Sequence, residues 1–552
     1  MEKFAALLDR LILTPSRNGK LRLLEDYFRT TPDPDRGWAL AALTGALDVP
    51  SVKPAMLRAM ATERLDPVLF GYSYDYVGDL AETISLVWAP SPAASEGAAP
   101  SLSAVVEALF SASRSEGPKR VAAFLDALEP SSRWALLKLV TGGLRIGVSA
   151  RLAKQALANF GAQEINAIEE IWHGLSPPYE PLFAWLDGHG ERPVSAARAP
   201  FRPVMLAQPL EEGDRPAITP EVYAAEWKWD GIRVQAVSDG GVRRLYSRTG
   251  EDIGEAFPDV LEGLDIEGAI DGELLVGRSV DGRIEAGSFS ELQQRLNRKS
   301  VTGKLVVSHP AFIRAYDCLV DGEEDVRALP FRHRRSRLER LVGRSLAGRV
   351  DLSPLLPYDH WDALAAQRLA PPAPIIEGVM LKRWDSPYEG GRPKGPWFKW
   401  KRDPFVIDAV LMYAQRGHGK RSSFYSDYTF GVWRQGEAGE ELVPVGKAYF
   451  GFTDAELIEI DRFVRRHTTG RFGPVREVEH RPDLGLVFEV AFEGLNRSTR
   501  HRSGVAMRFP RIARLRWDKP PAEADRIEAL EALLDAGDGG PAALRRARGA
   551  PV

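Results

Sequence analysis

At 552 residues the chain is too long for one hydrophobic core and asks for about three or four domains. A hydrophobic content of 44% and a net charge of −3 fit ordinary water-soluble domains and exclude a polycation whose bulk charge alone would announce a nucleic-acid partner. The single cysteine, Cys318, excludes an intramolecular disulfide and a four-cysteine zinc module, and in Ala315-Tyr316-Asp317-Cys318-Leu319-Val320 it reads as a small buried side chain.

No apolar run is long enough to cross a bilayer. Met1-Glu2-Lys3-Phe4 lacks the basic-then-apolar layout of a signal peptide, so a cytoplasmic protein without membrane attachment is expected.

Residues 1–195 read as an all-α domain. Phe4, Leu7, Leu8, Leu11 and Ile12 recur at helical spacing, as do Leu21, Leu24, Tyr27 and Phe28, and later Leu152, Ala156 and Leu157. The small, proline-punctuated stretch from Ala89 to Pro100 reads as a surface loop within it. Leu136 to Gly147 predicts a helix that stops at Gly142-Gly143. Those glycines let backbone amides approach a phosphate, with Lys138 and Arg145 nearby; on local grounds a helix stop beside two solvated cations is the preferred reading.

Arg198 to Pro203 is a linker by composition, and strands follow. Tyr223 to Trp227 alternates weakly. Ile232 to Val237 alternates cleanly, Ser238-Asp239-Gly240-Gly241 turns, and Val242 to Tyr246 returns. Further strands are expected at Ala269–Val276, Phe312–Leu319 and Gly378–Arg383, with helices at Phe289–Arg298 and Phe331–Leu341. Residues 203–403 thus form an α+β domain. Residues 404–520 carry short strands at Val406–Tyr413, Tyr428–Trp433, Leu442–Phe450 and Leu486–Phe492, interrupted by one helix at Asp454–His467. That layout suits a small β-barrel of the oligonucleotide-binding (OB) type. Residues 521–552 hold one short helix, Ala524–Leu534, and a tail without assigned chemistry.

The chemistry centres on Glu226-Trp227-Lys228-Trp229-Asp230-Gly231-Ile232-Arg233, with its Lys-X-Asp-Gly core. Lys228 is the candidate nucleophile for a nucleotide. A protonated amine cannot attack, so desolvation or neighbouring positive charge is required, and Arg248, Lys399 and Lys401 can supply the charge. Alternation in Trp397-Phe398-Lys399-Trp400-Lys401 puts both lysines on one strand face and the aromatic residues 398 and 400 on the other. Asp271-Gly272-Glu273 and Glu377-Gly378 bring acids to or beside strands, where Glu273 and Glu377 can offer oxygen ligands to Mg²⁺; taken singly each also suits a turn. Tyr316 can stack on a base or fill a core. Glu226 can accept from a base, and Arg233 can hold a sugar or phosphate. The stretch Arg508 to Lys519 can aim cations at a polyphosphate or a nucleic-acid backbone.

Seven stretches, in order, resemble the motifs of ATP-dependent DNA ligases, within the nucleotidyltransferases that also include RNA ligases and capping enzymes. They are Glu226 to Arg233, Ser247-Arg248-Thr249-Gly250, Asp271-Gly272-Glu273, Ala315-Tyr316-Asp317, Glu377 to Lys382, Trp397 to Lys401, and Arg508 to Lys519, which ends in Arg-X-Asp-Lys. The resemblance implies that residues 203–403 are an adenylation domain and that Lys228 attacks the ATP α-phosphate. It implies that Glu226 reads adenine and Tyr316 stacks on it, while Arg233, Arg248 and Glu273 hold ribose and phosphate. It further implies that Glu273 and Glu377 face Mg²⁺, that Lys399 and Lys401 contact the phosphate, and that Arg516, Asp518 and Lys519 orient pyrophosphate. Arg392 is carried as a nucleotide contact, although Pro393-Lys394-Gly395-Pro396 lengthens its spacing to Lys399. Tyr316 stands where phenylalanine is common.

The helical region resembles the DNA-binding domain of larger ligases, which makes Gly142, Gly143 and Arg145 candidate contacts to nicked duplex DNA. The implied enzyme is a monomer that seals nicks through lysyl-AMP and DNA-adenylate, in repair or recombination. Three alternatives are weighed against it. A capping enzyme would use GTP and need no long helical domain before Lys228, and an RNA ligase would act on RNA. An NAD-dependent ligase would need the four-cysteine zinc module, which one cysteine cannot build. A catalytically decayed scaffold does not fit the presence of Lys228, Glu273, Glu377, Lys399 and Lys401 together.

Overall fold

Short amphipathic helices carry the first part of the chain, and their ends are written in the sequence. In Arg17–Thr30, Ser16 accepts from the Gly19 amide at 2.9 Å, and the buried stripe is Leu21, Leu24, Tyr27 and Phe28. In Ala150–Phe160, Ser149 caps Leu152, and Ala153, Ala156 and Leu157 face inward. The computed structural model describes residues 1–77, 79–89, 99–142, 144, 146–194, 198–280, 283–296, 298, 301–416, 424–436, 439–498 and 501–535. It divides into two compact units, Met1–Pro200 and Phe201–Val552.

The first unit is helical throughout its regular structure among the described residues. The helix Pro130–Thr141 ends where Gly142 takes φ +66°, a left-handed conformation that costs a side chain with a β-carbon. Gly142 N donates to Lys138 O there. Lys138 is not a free cation: its Nζ donates to Asp79 Oδ2 at 2.5 Å, which corrects the reading of a solvated charge beside the glycines. Gly143, Arg145 and most of the expected loop from Ala89 to Pro100 lie outside the described residues.

The second unit begins with two sheets. A four-stranded sheet runs in the order Gln208–Pro209, Trp397–Lys401, Ile376–Arg383, Tyr223–Trp229. A seven-stranded sheet is built on Val242–Ser247, Ile232–Asp239, Gly268–Val280, Ala311–Asp321 and Glu324–Asp325, with Arg283–Ala286 and Val350–Leu352 attached. Lys228 therefore lies within a strand of one sheet, and Arg233 in the neighbouring sheet after a two-residue crossing. The Asp271-Gly272-Glu273 acids sit inside the strand Gly268–Val280, not at a turn.

The expected helix Phe289–Arg298 is shorter, Phe289–Gln293. Arg295 leaves the helical path and is wholly buried. It donates to Asp259 Oδ1 at 2.5 Å, to Ala256 O at 2.9 Å and to His309 O at 3.0 Å. A buried guanidinium needs those partners, and meeting them outweighs one more helical turn.

The C-terminal part of the unit is a β domain. Its long strand Phe405–Arg416 pairs with Tyr425–Gly436 along one edge. On the other it pairs with Val487–Phe492 through its first half and with Val475–Val478 through its second. Val487–Phe492 in turn pairs with Arg511–Arg516. The helix Asp454–Arg466 is set by the Thr453/Glu456 capping box. Sequence reading missed the hairpin Thr468–Phe472/Val475–Val478 and the pair Gly494–Arg497/Val505–Arg508, which are short and carry charged or glycine positions where apolar ones would give the period away. The last helix is Ile527–Asp535 rather than one starting at Ala524, which follows a 3₁₀ turn at Pro521–Glu523. No helix among the described residues is long and apolar enough to cross a membrane.

Candidate active site

Both sheets contribute to one cleft of about 570 Å³. The four-stranded sheet brings Glu226, Lys228, Glu377, Met380, Lys382, Trp397, Lys399 and Lys401 to it. The other sheet and its loops bring Arg233, Arg248, Glu273 and Tyr316. The alternation expected at Trp397–Lys401 holds: the two lysines line the cleft, while Phe398 and Trp400 pack in the hydrophobic cluster behind the sheet. Arg392 also lines the cleft, so the extra residues before Lys399 do not carry it away.

Lys228 sits opposite Gly378 across the antiparallel pair, at an irregularity in register between Ile376 and Gly378. Gly378 has φ +150°, and a β-carbon there would lie 2.3 Å from Trp400 O. Only glycine lets the central strand lie against both neighbours at this point. Lys228 Nζ donates to Glu377 Oε1, and Lys401 Nζ reaches Glu377 Oε2 at 3.1 Å and Glu493 Oε2 at 2.9 Å. Burial pushes the Glu377 carboxyl up, but Lys228 and Lys401 outweigh it and hold the group below the usual range.

Glu273 has the opposite balance. Burial, together with the negative charges of Glu377 and Asp230, pushes it up to about 7 against the pull of Lys228 and Arg233. Burial pushes the Lys399 ammonium down, as does the positive charge of Arg392, Lys401, Lys228 and Arg248. The arrangement is a positive rim around two carboxylates, suited to a polyanion that brings a divalent cation.

Arg233 is already engaged. Its Nη2 donates to Asp271 Oδ2 at 2.6 Å and to Tyr388 Oη at 3.1 Å, and its Nη1 donates to Met205 O. Its Nε is buried with no hydrogen-bond partner. Tyr316 lies edge-on to Trp397, and the Lys382 ammonium stands 4.3 Å from its ring centre. Glu226 is 1% exposed and accepts from Lys382 at 3.2 Å and Arg335 at 3.3 Å.

The trio expected at pyrophosphate is elsewhere. Arg516 pairs with Asp518 at 2.9 Å and Asp408 at 3.3 Å, and Lys519 with Asp408 at 2.8 Å; none lines the cleft. From that C-terminal stretch it is Arg508 and Phe509 that do, with Arg508 paired to Asp230 of the Lys-X-Asp-Gly core. They precede the strand Arg511–Arg516, whose pairing with Val487–Phe492 directs the later residues to Asp408. Sequence reading also missed Lys382 and Arg335. Lys382 ends a motif already singled out, whereas Arg335 is one of several arginines on the helix Phe331–Arg344 with no local mark.

A family model described as "ATP dependent DNA ligase domain" matches residues 204–401, the strands that build this cleft. A second, "ATP dependent DNA ligase C terminal region", matches residues 421–519. A protein named "DNA ligase 1" from Korarchaeum cryptofilum is 31% identical across 97% of this chain and 98% of its own length. The chain belongs to the ATP-dependent DNA ligases. A Koribacter versatilis protein named "Probable DNA ligase" is 34% identical across 74% of this chain and 72% of its own. The solved structure Pmar-Lig_PreS3, 14% identical with a TM-score of 0.58, covers 93% of this chain and 99% of that one and shares the fold. Members of this family are ligases that use ATP, and this chain is one of them.

The ligase cleft fits Mg²⁺ in one particular way. No group of three metal-ligating side chains occurs among the described residues, so there is no protein cage. Mg²⁺ commonly takes one or two carboxylates plus substrate phosphates and water, and Glu273 and Glu377 are two cleft carboxylates that could supply them. Burial is the largest cause of the raised Glu273 carboxyl, and a cation beside it would favour its ionised form.

The raised carboxyl predicts a stability effect. Glu273 has a folded pKa of about 7, above its ordinary 4.5, so its ionisation destabilises the nucleotide-free fold as pH rises between those values. Glu273→Gln should therefore raise the melting temperature of the metal-free, nucleotide-free ligase at pH 8 and leave it unchanged near pH 4. Melting curves with EDTA at both pH values test this; a uniform shift at both would contradict it.

Proposed function

We propose that Lys228 takes AMP from ATP and passes it to the 5′-phosphate of a DNA nick. The observation that carries this is the position of Lys228 Nζ, inside the cleft, hydrogen-bonded to Glu377 and ringed by Arg248, Arg392, Lys399 and Lys401. Glu377 is the acceptor within reach of the proton that the amine must lose before it attacks. Nζ then forms the bond to the α-phosphorus as the bond to pyrophosphate breaks. Lys399, Lys401 and Arg248 neutralise the phosphates, Arg233 and Glu273 meet the ribose and phosphate side, Tyr316 stacks on the base, and Glu226 accepts from it.

Arg392 belongs to the same positive rim. Mg²⁺ held by Glu273, Glu377 and the phosphates would offset charge in each transfer. In the second step a 5′-phosphate oxygen displaces Lys228 from AMP. In the third, the 3′-hydroxyl attacks that phosphate, seals the strand and releases AMP. Arg516, Asp518 and Lys519 do not line the cleft here, so a role on pyrophosphate needs the C-terminal β domain to move.

We read residues 1–195 as the DNA-binding domain, with Gly142, Gly143 and Arg145 as backbone-phosphate contacts, and 203–403 as the adenylation domain. We read 404–520 as an OB-fold and 521–552 as a tail. The long strand shared by two partners and the single helix between strands favour the OB reading. We read the enzyme as a monomer working in the cytoplasm, in repair or recombination.

Nicked duplex should be sealed only with ATP and Mg²⁺ once the protein has been freed of AMP by pyrophosphate. Mass measurement should find AMP on the peptide containing Lys228. Labelling by GTP alone would sink this reading.

A further inference from the structure

Glu226 is the one cleft acid held by two buried cations from elements that are not its own. Lys382, on the neighbouring strand Ile376–Arg383, donates to Oε2 at 3.2 Å. Arg335, from the helix Phe331–Arg344 behind the sheet, donates through Nη1 to Oε1 at 3.3 Å. Arg335 is itself fixed: Nη2 donates to Ser353 O at 2.9 Å and Nε to Glu339 Oε1 at 2.8 Å, and the residue is 4% exposed. It does not line the cleft. A guanidinium held at three points fixes the plane of the carboxylate it meets.

The chemical state of Glu226 matters for which base it accepts. An ionised carboxylate only accepts hydrogen bonds, whereas a protonated one also donates. The amino group at C6 of adenine needs an acceptor, and the carbonyl at C6 of hypoxanthine or guanine needs a donor. We propose that Arg335 is a positioning residue for nucleobase selection, holding Glu226 as an oriented, ionised acceptor so that the cleft takes a 6-amino purine and rejects a 6-oxo purine. This rests on Glu226 meeting the base, as proposed above.

Burial favours the protonated form of Glu226, and the two cations are what oppose it. Burial pushes the Glu226 carboxyl up, and Lys382 and Arg335 pull it back only in part, while Asp317 adds to the rise. The charged groups facing this cluster are Lys382 from the strand, Arg335 from the helix, and Asp317 from Ala311–Asp321. Asp317 is paired with Arg334, and Glu339 bonds to Arg335. Removal of Arg335 takes away one of two opposing cations, so Glu226 would protonate at a higher pH and ATP preference would be lost earlier as pH falls.

The test compares ATP with inosine triphosphate, which has a 6-oxo group and no 2-amino group. The readout is kcat/KM for enzyme–nucleotide adduct formation by the full chain from pH 5.5 to 8.5. Glu226→Gln should largely abolish the ATP preference. Arg335→Met should lower it about tenfold, the scale of one charge-assisted hydrogen bond, through a higher KM for ATP, and move its pH limb upward. Arg335→Lys should recover part of it. If the Met variant does not fold, Arg335→Gln, which keeps a donor without the charge, serves in its place. Two results would overturn the proposal, and they differ. If Glu226→Gln loses selectivity while the Arg335 variants keep the wild-type ratio and pH profile, Arg335 is structural and the base reading of Glu226 stands. If Glu226→Gln keeps the wild-type ratio, the base reading itself fails.

Discussion

Lys228→Ala should abolish the enzyme–AMP adduct and reduce ATP-driven sealing by at least about 10⁴-fold, the scale of losing a covalent nucleophile. Binding to a nicked duplex should persist. Sealing of a nick that already carries 5′-AMP should fall far less, by roughly 10²-fold, because that step uses the cleft's cations but no attacking amine. The competitor to watch is Lys399. Burial and four neighbouring cations push its ammonium down, which is the change that makes an amine nucleophilic, and it lines the same cleft. Lys401 is a poorer rival, since Glu377 and Glu493 both hold it and its ammonium is raised despite burial. Intact-mass measurement after incubation with ATP separates the cases. A persistent adduct in Lys228→Ala that disappears in Lys228→Ala/Lys399→Arg would move the nucleophile to Lys399.

The second large effect is on folding. Asp317 and Arg334 are both 0% exposed and meet through two contacts, Nε to Oδ1 at 2.8 Å and Nη2 to Oδ2 at 3.0 Å. Arg334 also donates to Leu329 O at 2.5 Å and Ser386 O at 2.8 Å, and Asp317 accepts from Cys318 N at 2.9 Å. Asp317→Ala leaves a buried guanidinium without its counter-charge, which costs about 3–5 kcal/mol. Replacing both partners by apolar residues of similar volume, Asp317→Leu with Arg334→Met, should restore much of that loss, since neither charge then has to be desolvated. For a unit running from Phe201 to Val552 the single variant should melt roughly 5 °C lower. Thermal unfolding of the full chain, followed by tryptophan fluorescence, is the measurement. A shift under about 2 °C would mean that solvent reaches the pair.

Asp317 shows that neighbouring residues of one motif can serve different ends. Ala315-Tyr316-Asp317 stood out as a motif of the family, with Tyr316 as the stacking candidate. Tyr316 does line the cleft, whereas Asp317 points into the core and holds a helix to the sheet. Glu273 and Glu377 went the other way. As single acids they looked like turn residues, yet both lie in strands and face the same cleft.

Much of this layout was legible because it is local. Strand alternation at Trp397–Lys401 placed two lysines on one face, Gly240-Gly241 set the hairpin after Arg233, and apolar spacing marked the helices of the first domain. The order of motifs along the chain led to the ligase family, and the family models match there.

What only the tertiary structure decided is which charges meet. Lys228 with Glu377, Glu226 with Lys382 and Arg335, and Arg233 with Asp271 join residues 38 to 156 positions apart. The C-terminal motif is longer in range still: Arg508 reaches Asp230 across 278 positions, while Arg516 turns to Asp408. Periodicity reports which face of a strand or helix a side chain takes. It carries no information on which face packs opposite, because that depends on the pairing of distant strands and on buried charges finding partners that offset their desolvation.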